Sequence, residues 1–515
     1  MSRAAGLYRT ANGQVSIMEL SRTQSPAPEK MTPQNNDAQL EDDIPLYKDR
    51  EKVYPKRVSG YFRNLKWFAL ITLLAIYWIV PWLRWDRGPA APHQAVLIDM
   101  DQGRAYFFFI EIWPQEVYYI TGILILAAIG LFLATSLFGR IWCGYACPQT
   151  VWTDLFMLVE RYIQGDRNAR MRLDKAPWSL EKFAKIGGTH LTWIVISLIT
   201  GGAFVLYFND APTVIIDIFT GNASMAVYVT TISLTFSTYL LAGWAREQVC
   251  TYMCPWPRFQ SAMLDDESMI VTYEAWRGEP RGSIKRKNLV RGEVPEVGHC
   301  IDCQACVNVC PTGIDIRHGL QLECIGCGLC IDACNEMMDK VSFPRDLVRF
   351  DSVQNSQLRA HGQATKVRIV RPRTIFYSIL LVLVAGVMMF GLLNRSTMDV
   401  NVLRDRNPLY VPLSTGDVRN GYTLKVLNKE QSAQTYLLDL SGVNATDFQI
   451  IGQKPAADGK FSLTVAPDQV GSYRVFIAAN PSSLQSDATP IDFIVTNTDT
   501  GVSETHDTIF AGPKK

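Results

Sequence analysis

Five stretches of the chain are almost continuously apolar, and each is long enough to cross a bilayer as a helix, which takes about 20 such residues. They run from Leu65 to Leu83, Val117 to Leu137, His190 to Phe208, Ala223 to Trp244 and Ile375 to Leu393. Trp67, Trp78, Trp82 and Trp85 bracket the first, as interfacial anchors do. Pro81, near its end, is tolerated in a membrane helix. Span four is rich in Thr and Ser, which blurs its limits. Residues 1–46 are polar, proline-containing and aperiodic, and read as a disordered tail without a signal peptide. Beyond span five the period falls to two in "YTLKVL", "TYLLDL", "FSLTVA", "YRVFIA" and "IDFIVT", with turn residues between them. This alternation predicts an antiparallel β-sandwich of about seven strands over residues 394–515.

Basic residues in the flanks orient the spans. Lys48, Arg50, Lys52, Lys56, Arg57, Arg63 and Lys66 precede or open span one, and Arg371 and Arg373 precede span five. The segment between spans two and three carries Arg140, Arg161, Arg167, Arg170, Arg172, Lys175, Lys182 and Lys185, whereas that between spans three and four carries none. The first loop has few for its length, chiefly Arg87 and Arg104. The N-terminus and residues 245–374 are therefore expected in the cytoplasm and the C-terminal domain in the periplasm. Residues 47–244 form a four-helix membrane region in this reading, and 375–393 a fifth helix.

The chain has 515 residues, a net charge of +1 and 12 cysteines. The near-zero charge offers nothing to a nucleic acid. All the cysteines lie between Cys143 and Cys334, at short spacings, which points to metal binding rather than a disulfide framework.

Eight of them form two runs. "CIDCQACVNVCP" holds Cys300, Cys303, Cys306 and Cys310, and "CIGCGLCIDAC" holds Cys324, Cys327, Cys330 and Cys334. Each is the C-x2-C-x2-C-x3-C spacing of bacterial two-cluster ferredoxins, in which the fourth thiolate of each run serves the other cluster. Three thiolates on a curled loop reach three corners of one cubane, and the fourth starts a helix leading to the second. Cys300, Cys303, Cys306 and Cys334 are thus assigned to one [4Fe–4S] cluster, and Cys324, Cys327, Cys330 and Cys310 to the other. Zinc prefers paired C-x2-C units and suits these runs poorly. Asn335 stands where the second run would carry a proline, which removes no ligand.

The other four cysteines form a duplicated motif. "GRIWCGYACPQT" follows span two and "AREQVCTYMCPWP" follows span four, so Cys143–Cys147 and Cys250–Cys254 are both C-x3-C-P. If the helix continues past each span, the two thiols of a pair share one face. Repeats of this kind build sites at their interface. Buried structural thiols, disulfide chemistry, a third iron–sulfur cluster and a soft-metal site compete as readings. Disulfides are disfavoured by helical geometry and a reducing compartment. Thiolates favour Cu(I) and make Cu(II) easier to reduce. Spacing alone does not separate copper from a third cluster.

Taken together, five spans, two C-x3-C-P motifs, the two-cluster segment, a C-terminal outer domain and "VYPKRVSGYFRNLKW" before span one resemble the FixG/RdxA/CcoG family. Its members are cytochrome c oxidase accessory proteins, bacterial membrane polyferredoxins. The resemblance covers residues 47–510. It implies an immunoglobulin-like C-terminal sandwich and an inner-membrane location. It also implies that Cu(II) is reduced to Cu(I) for cbb3-type oxidase assembly, with oxidase subunits or assembly factors as partners. Cys143, Cys147, Cys250 and Cys254 would be the copper-associated thiols.

The expected protein is thus a membrane electron carrier and cupric reductase with an unassigned donor. One rival is a quinol-linked ferredoxin module, with Trp142 and Trp256 near a quinone. Another is a non-catalytic copper chaperone or assembly scaffold. His190 has no second membrane histidine to pair with over a haem, and Met388 and Met389 read as lipid-facing packing. Walker and G-x-G-x-x-G loops are absent, so nucleotide chemistry has no support.

Overall fold

The computed structural model describes residues 52–88, 91–283, 298–455, 460–484 and 486–513. The tail expected over 1–46, with Lys48 and Arg50, lies outside the described residues. Among the described residues, five helices are long and apolar enough to cross a membrane: Tyr61–Trp82, Pro114–Phe138, Leu180–Val205, Met225–Ala245 and Pro372–Leu393. Each covers most of a stretch read from the sequence. The third begins ten residues earlier than its apolar core, because Ser179 caps it by accepting from the Lys182 amide.

The spans leave a cysteine-rich lobe at one end and β-structure at the other. At the first end, Asp332 caps span one from outside, accepting from the Phe62 amide at 3.3 Å and the Arg63 amide at 2.8 Å. A carboxylate there meets the positive end of the helix dipole. Span five enters from the same end, where Arg371 bonds Asp265 at 2.5 Å and the Ser136 carbonyl at 2.7 Å. A short ladder, Ile270–Tyr273 against Val348–Asp351, closes the lobe.

At the opposite end the loop after span one is not irregular. It folds into a three-stranded sheet, Val96–Asp99, Arg104–Phe107 and Ile110–Ile112. Each strand has only three or four residues, too few for alternation to stand out in the sequence. Arg104 holds Asp468 of the C-terminal domain at 2.6 Å, and Glu116 pairs with Arg395 at 2.8 Å and Lys429 at 3.0 Å. The C-terminal domain is a sandwich of a five-stranded and a four-stranded antiparallel sheet. Tyr422, Leu424, Val426, Leu438, Val475, Ile477, Phe493 and Val495 meet between the sheets and are fully buried. Beyond the five alternating runs, strands form at Met398–Arg404, Val411–Pro412, Ala445–Ile450 and Ser503–Ala511. Met398–Arg404 alternates, with Met398, Val400 and Val402 buried, whereas burial in the other three is weak.

Between spans two and three, a 17-residue helix, Pro148–Gln164, turns back and packs against spans one and three. Trp152 bonds Thr200 at 2.9 Å, and Phe156 stacks on Trp193. In sequence this segment has the look of a basic loop. Met388 also departs from expectation: it packs on span two, where a Cβ at Gly122 would strike its sulfur, while Met389 stays exposed.

Candidate functional site

Span two ends at Gly139, whose φ of +60° is open to glycine at little cost. The helix therefore does not continue through the first thiol pair, as a shared helical face would require. The chain makes a single π-turn, Trp142–Ala146, closed by the Cys147 amide on the Trp142 carbonyl at 2.8 Å. The second motif repeats this: Arg246 sits at φ +46°, Val249–Met253 is a π-turn, and the Cys254 amide bonds the Val249 carbonyl at 2.8 Å. Such turns recur at functional sites because they re-aim side chains that an α-helix would space regularly. The prolines mark the starts of the next helices: Pro148 is the first residue of one and Pro255 the N-cap of the other, Trp256–Met263, where a missing N–H costs nothing.

The two turns face one another. Burial pushes the Cys143 thiol up to about 12, helped by Cys147 and, more weakly, by Cys250 and Cys254. Cys250 is raised to about 12 by burial and then by Cys147 and Cys254. Cys143 thus feels Cys250 and Cys254 of the other turn, and Cys250 feels Cys147. Gln260, fully buried, accepts from Cys143 Sγ at 3.1 Å, and the Thr150 hydroxyl donates to the Cys143 carbonyl at 2.6 Å.

The eight remaining cysteines fall into two groups by the same measure. Cys306 is raised to about 12 by burial, Cys334 and Cys303, and Cys334 to about 11 by burial and then by Cys303 and Cys300. Cys324 is raised to about 12 by burial, Cys327 and Cys310, and Cys330 is pushed well above its usual value by burial, Cys327, Cys324, Cys310 and Cys306. Cys310 is thus near Cys324 and Cys330 of the second run, Cys334 is near Cys300 and Cys303 of the first, and Cys306 is near both Cys334 and Cys330. One small cavity has Cys306, Cys310, Cys324, Cys327 and Cys330 in its lining. Among the described residues no three Cys, His, Asp or Glu side chains converge on a point that could hold one metal ion. A cubane does not ask for that, because each thiolate binds its own iron at a separate corner. Crowded thiols that repel one another as anions fit a cationic metal core that takes the place of their protons. The helix around Cys334 runs from Leu329 to Lys340, so it starts before the fourth cysteine rather than at it. Asn335 in place of proline lets it run on, and its side chain accepts from the Asp346 amide at 2.8 Å.

The first thiol turn lies directly on the second cysteine run. A Cβ on Gly144 would come within 2.9 Å of the Ile325 carbonyl and 3.1 Å of the Cys327 Cα. Tyr145 donates its hydroxyl to the Cys327 carbonyl at 2.9 Å. Arg140 binds the Cys324 carbonyl at 3.1 Å, the Leu322 carbonyl, and the Pro257 carbonyl beyond the second thiol turn at 2.9 Å. One guanidinium therefore ties both turns to the ferredoxin-like loop. Arg246, its apparent counterpart in sequence, is offset by one position and does something else: it binds Glu160 and the Gly243 carbonyl.

Residues that the sequence pattern did not single out hold this arrangement. Glu160 bridges Arg246 and Arg170, the latter at 2.7 Å, and Asp154 bonds Arg63 at 2.9 and 3.0 Å. All of these side chains are buried. The signal is present in "PQTVWTDLFMLVERYIQ", where two acids interrupt an apolar helical face. Removing Glu160 strands two buried cations, so Glu160→Ala is expected to cost about 3–5 kcal/mol. Denaturation of the solubilised protein followed by Trp fluorescence measures it, and an unchanged midpoint rules out the role.

His190 and the two tryptophans complete the picture. His190 Nδ1 pairs with the Tyr239 hydroxyl at 2.9 Å. Trp142 is 41% exposed beside the first turn, and Trp256 packs against the second cysteine run, with Cys143 and Cys327 in the same cluster.

Known proteins match along these same parts. Residues 245–353 match the family model of a 4Fe-4S dicluster domain, residues 120–163 that of a 4Fe-4S binding domain, and residues 388–513 the IG-like fold at the C-terminal of FixG. The chain is 48% identical over 459 residues to nitrogen fixation protein FixG of Rhizobium meliloti, covering 84% of this chain and 87% of that one. It is 47% identical over 472 residues to protein RdxB of Cereibacter sphaeroides, covering 91% and 97%. Among solved structures, a FixG-related protein from Vibrio parahaemolyticus matches 22% of this chain and 96% of its own, at 31% identity and a TM-score of 0.19.

Proposed function

This chain belongs to the FixG/RdxA family and is a multi-pass membrane iron–sulfur electron-transfer protein, and we propose that it reduces Cu(II) to Cu(I) at its four-thiol site for assembly of a cbb3-type cytochrome oxidase. The observation that carries this reading is the seating of the Cys143–Cys147 turn on the Cys324–Cys330 loop, with Gly144 against Cys327. Cys300, Cys303, Cys306 and Cys334 would hold one [4Fe–4S] cluster, and Cys310, Cys324, Cys327 and Cys330 the other. When bound, such clusters supply electrons singly, which matches the one electron that separates Cu(II) from Cu(I).

The chain's own residues do the rest. Cys143, Cys147, Cys250 and Cys254 offer soft sulfur that prefers Cu(I), so binding there favours the reduced ion. Arg140 and Tyr145 hold the thiol turn at the loop through backbone carbonyls, without spending a side chain of the ligand set. The basic flanks support a cytoplasmic cysteine lobe and a periplasmic sandwich. Oxidase subunits or their assembly factors are the proposed partners, on the strength of the family resemblance.

The test uses full-length protein in detergent, reduced by dithionite and freed of excess. Cu(II) is added anaerobically, and Cu(I) is caught by a colorimetric chelator. Cu(I) should appear as the iron–sulfur absorbance returns; none appearing overturns the reading, and one-time copper binding without reduction would leave a scaffold.

A second reading of the four thiols is a third iron–sulfur cluster. The match of residues 120–163 to a 4Fe-4S binding domain favours it, as does the spread of the sulfurs. Metal and sulfide analysis separates the two: about eight irons per chain means two clusters, and about twelve means three.

A further inference from the structure

A cavity of about 200 Å³ lies within the membrane region, between spans one, three and four. Pro148 and Gln149, which directly follow Cys147 in the chain, are part of its lining, and it is open to its surroundings. Tyr77, Trp152 and Phe204 contribute aromatic walls. The polar ends of the first two are already used, Tyr77 on the Thr200 carbonyl at 2.8 Å and Trp152 on the Thr200 hydroxyl at 2.9 Å, so they offer ring surface only.

Two groups in the cavity are not used in this way. Gln149 donates its Nε2 to the Leu241 and Arg246 carbonyls, at 2.8 and 3.1 Å, and to the Thr153 hydroxyl at 3.2 Å. That fixes the amide: flipping it would set oxygen against two carbonyl oxygens. Its Oε1 is thus a fixed acceptor, and it takes no hydrogen bond from another described residue. The Thr238 hydroxyl likewise bonds no other described residue. Gln149 and Thr238 thus bring an acceptor and a hydroxyl that can donate to the lining of one aromatic-walled space. Among the described residues no charged side chain, sulfur or imidazole lines it, so it suits neither a copper ion nor a charged headgroup. A cavity of about 150 Å³ takes up benzene, so this one has room for a substituted ring.

We infer that this cavity binds the ring of a membrane quinol, which is the electron donor. The inference rests on the electron-transfer reading above and names what feeds it. A quinol O–H donates to Gln149 Oε1, and the quinone carbonyl accepts from Thr238, so both redox forms are recognised. Oxidation of one quinol to quinone releases two protons to solvent and two electrons, taken singly by two oxidised iron–sulfur clusters. Gln149 stands two residues after Cys147 and bonds the carbonyl of Arg246, four residues before Cys250, so the cavity lies beside both cysteine motifs.

The test uses oxidised full-length protein in lipid nanodiscs, kept anaerobic, with a short-chain ubiquinol. A photoactivatable azido-quinone provides a second readout. Quinol should bleach the iron–sulfur absorbance, and the label should map to 148–153 or 234–242. Leu234→Trp fills the cavity and should abolish both, while dithionite still bleaches the protein fully. Thr238→Val keeps the shape and should weaken labelling roughly fivefold, the loss of one neutral hydrogen bond. Bleaching and labelling that persist in Leu234→Trp overturn the site, as does wild-type protein that quinol leaves oxidised. Copper reduction by dithionite-reduced Leu234→Trp is the separating arm: if it fails in wild type too, the copper reading falls while the quinol site stands.

Discussion

Replacing Cys143 or Cys250 with serine is expected to abolish Cu(II) reduction while leaving the eight-cysteine segment loaded. Both thiols sit in the duplicated π-turns, and each feels sulfur from the other turn. Serine is close in shape and keeps the fold, but a hydroxyl does not become a soft anionic ligand near neutral pH. Cu(I) trapped by chelator should fall to background. The iron content of the variants then reads the site's identity. It stays at about eight per chain if the thiols serve copper, and drops from about twelve to about eight if they hold a third cluster. Variants that reduce Cu(II) at the wild-type rate would remove the four-thiol site from the reaction.

The second large effect should come from Gly144, which is no ligand. Its lack of a side chain lets the first thiol turn touch the backbone of Ile325 and Cys327. Those neighbours are main-chain atoms and cannot rotate away, so Gly144→Val must push the turn off the loop. A misplacement of about 1 Å costs roughly a hundredfold where a reaction depends on position. Copper reduction in dithionite-reduced protein should therefore slow by about that factor. Iron content and the extent of dithionite bleaching should not change, since all twelve cysteines remain. An unchanged rate would mean that electrons do not cross at this contact. Gly144→Ala, with a single methyl group against the same atoms, should fall between the two.

Neither prediction is available in full from the sequence. The motif names Cys143 and Cys250, because ligand spacing is a local property written in consecutive residues. Gly144 is ordinary in sequence, and only the carbonyl and Cα lying opposite it give it weight. Arg140 stands out as part of a rhyme with Arg246, yet the two arginines hold different partners. The returning helix Pro148–Gln164 escapes notice for a related reason. Its acids look like loop residues until Arg63, Arg170 and Arg246 are seen to neutralise them.

Local patterns in the chain are enough for the five spans, the sandwich beyond them and the kinds of ligand presented. Each rests on a pattern no longer than about 20 residues: apolar length against bilayer thickness, alternation against a pleat, thiol spacing against a cubane. Which of these parts meet is settled only by folding in three dimensions. Asp332 caps span one across 269 residues of chain, Arg140 reaches the Cys324 carbonyl across 184, and Glu160 takes Arg246 across 86. Such contacts are set by burial of charge, which is tolerable only when a partner from elsewhere in the chain arrives. No local pattern records that partner, so the joining of the two thiol turns to the iron–sulfur loop is visible only in the folded molecule.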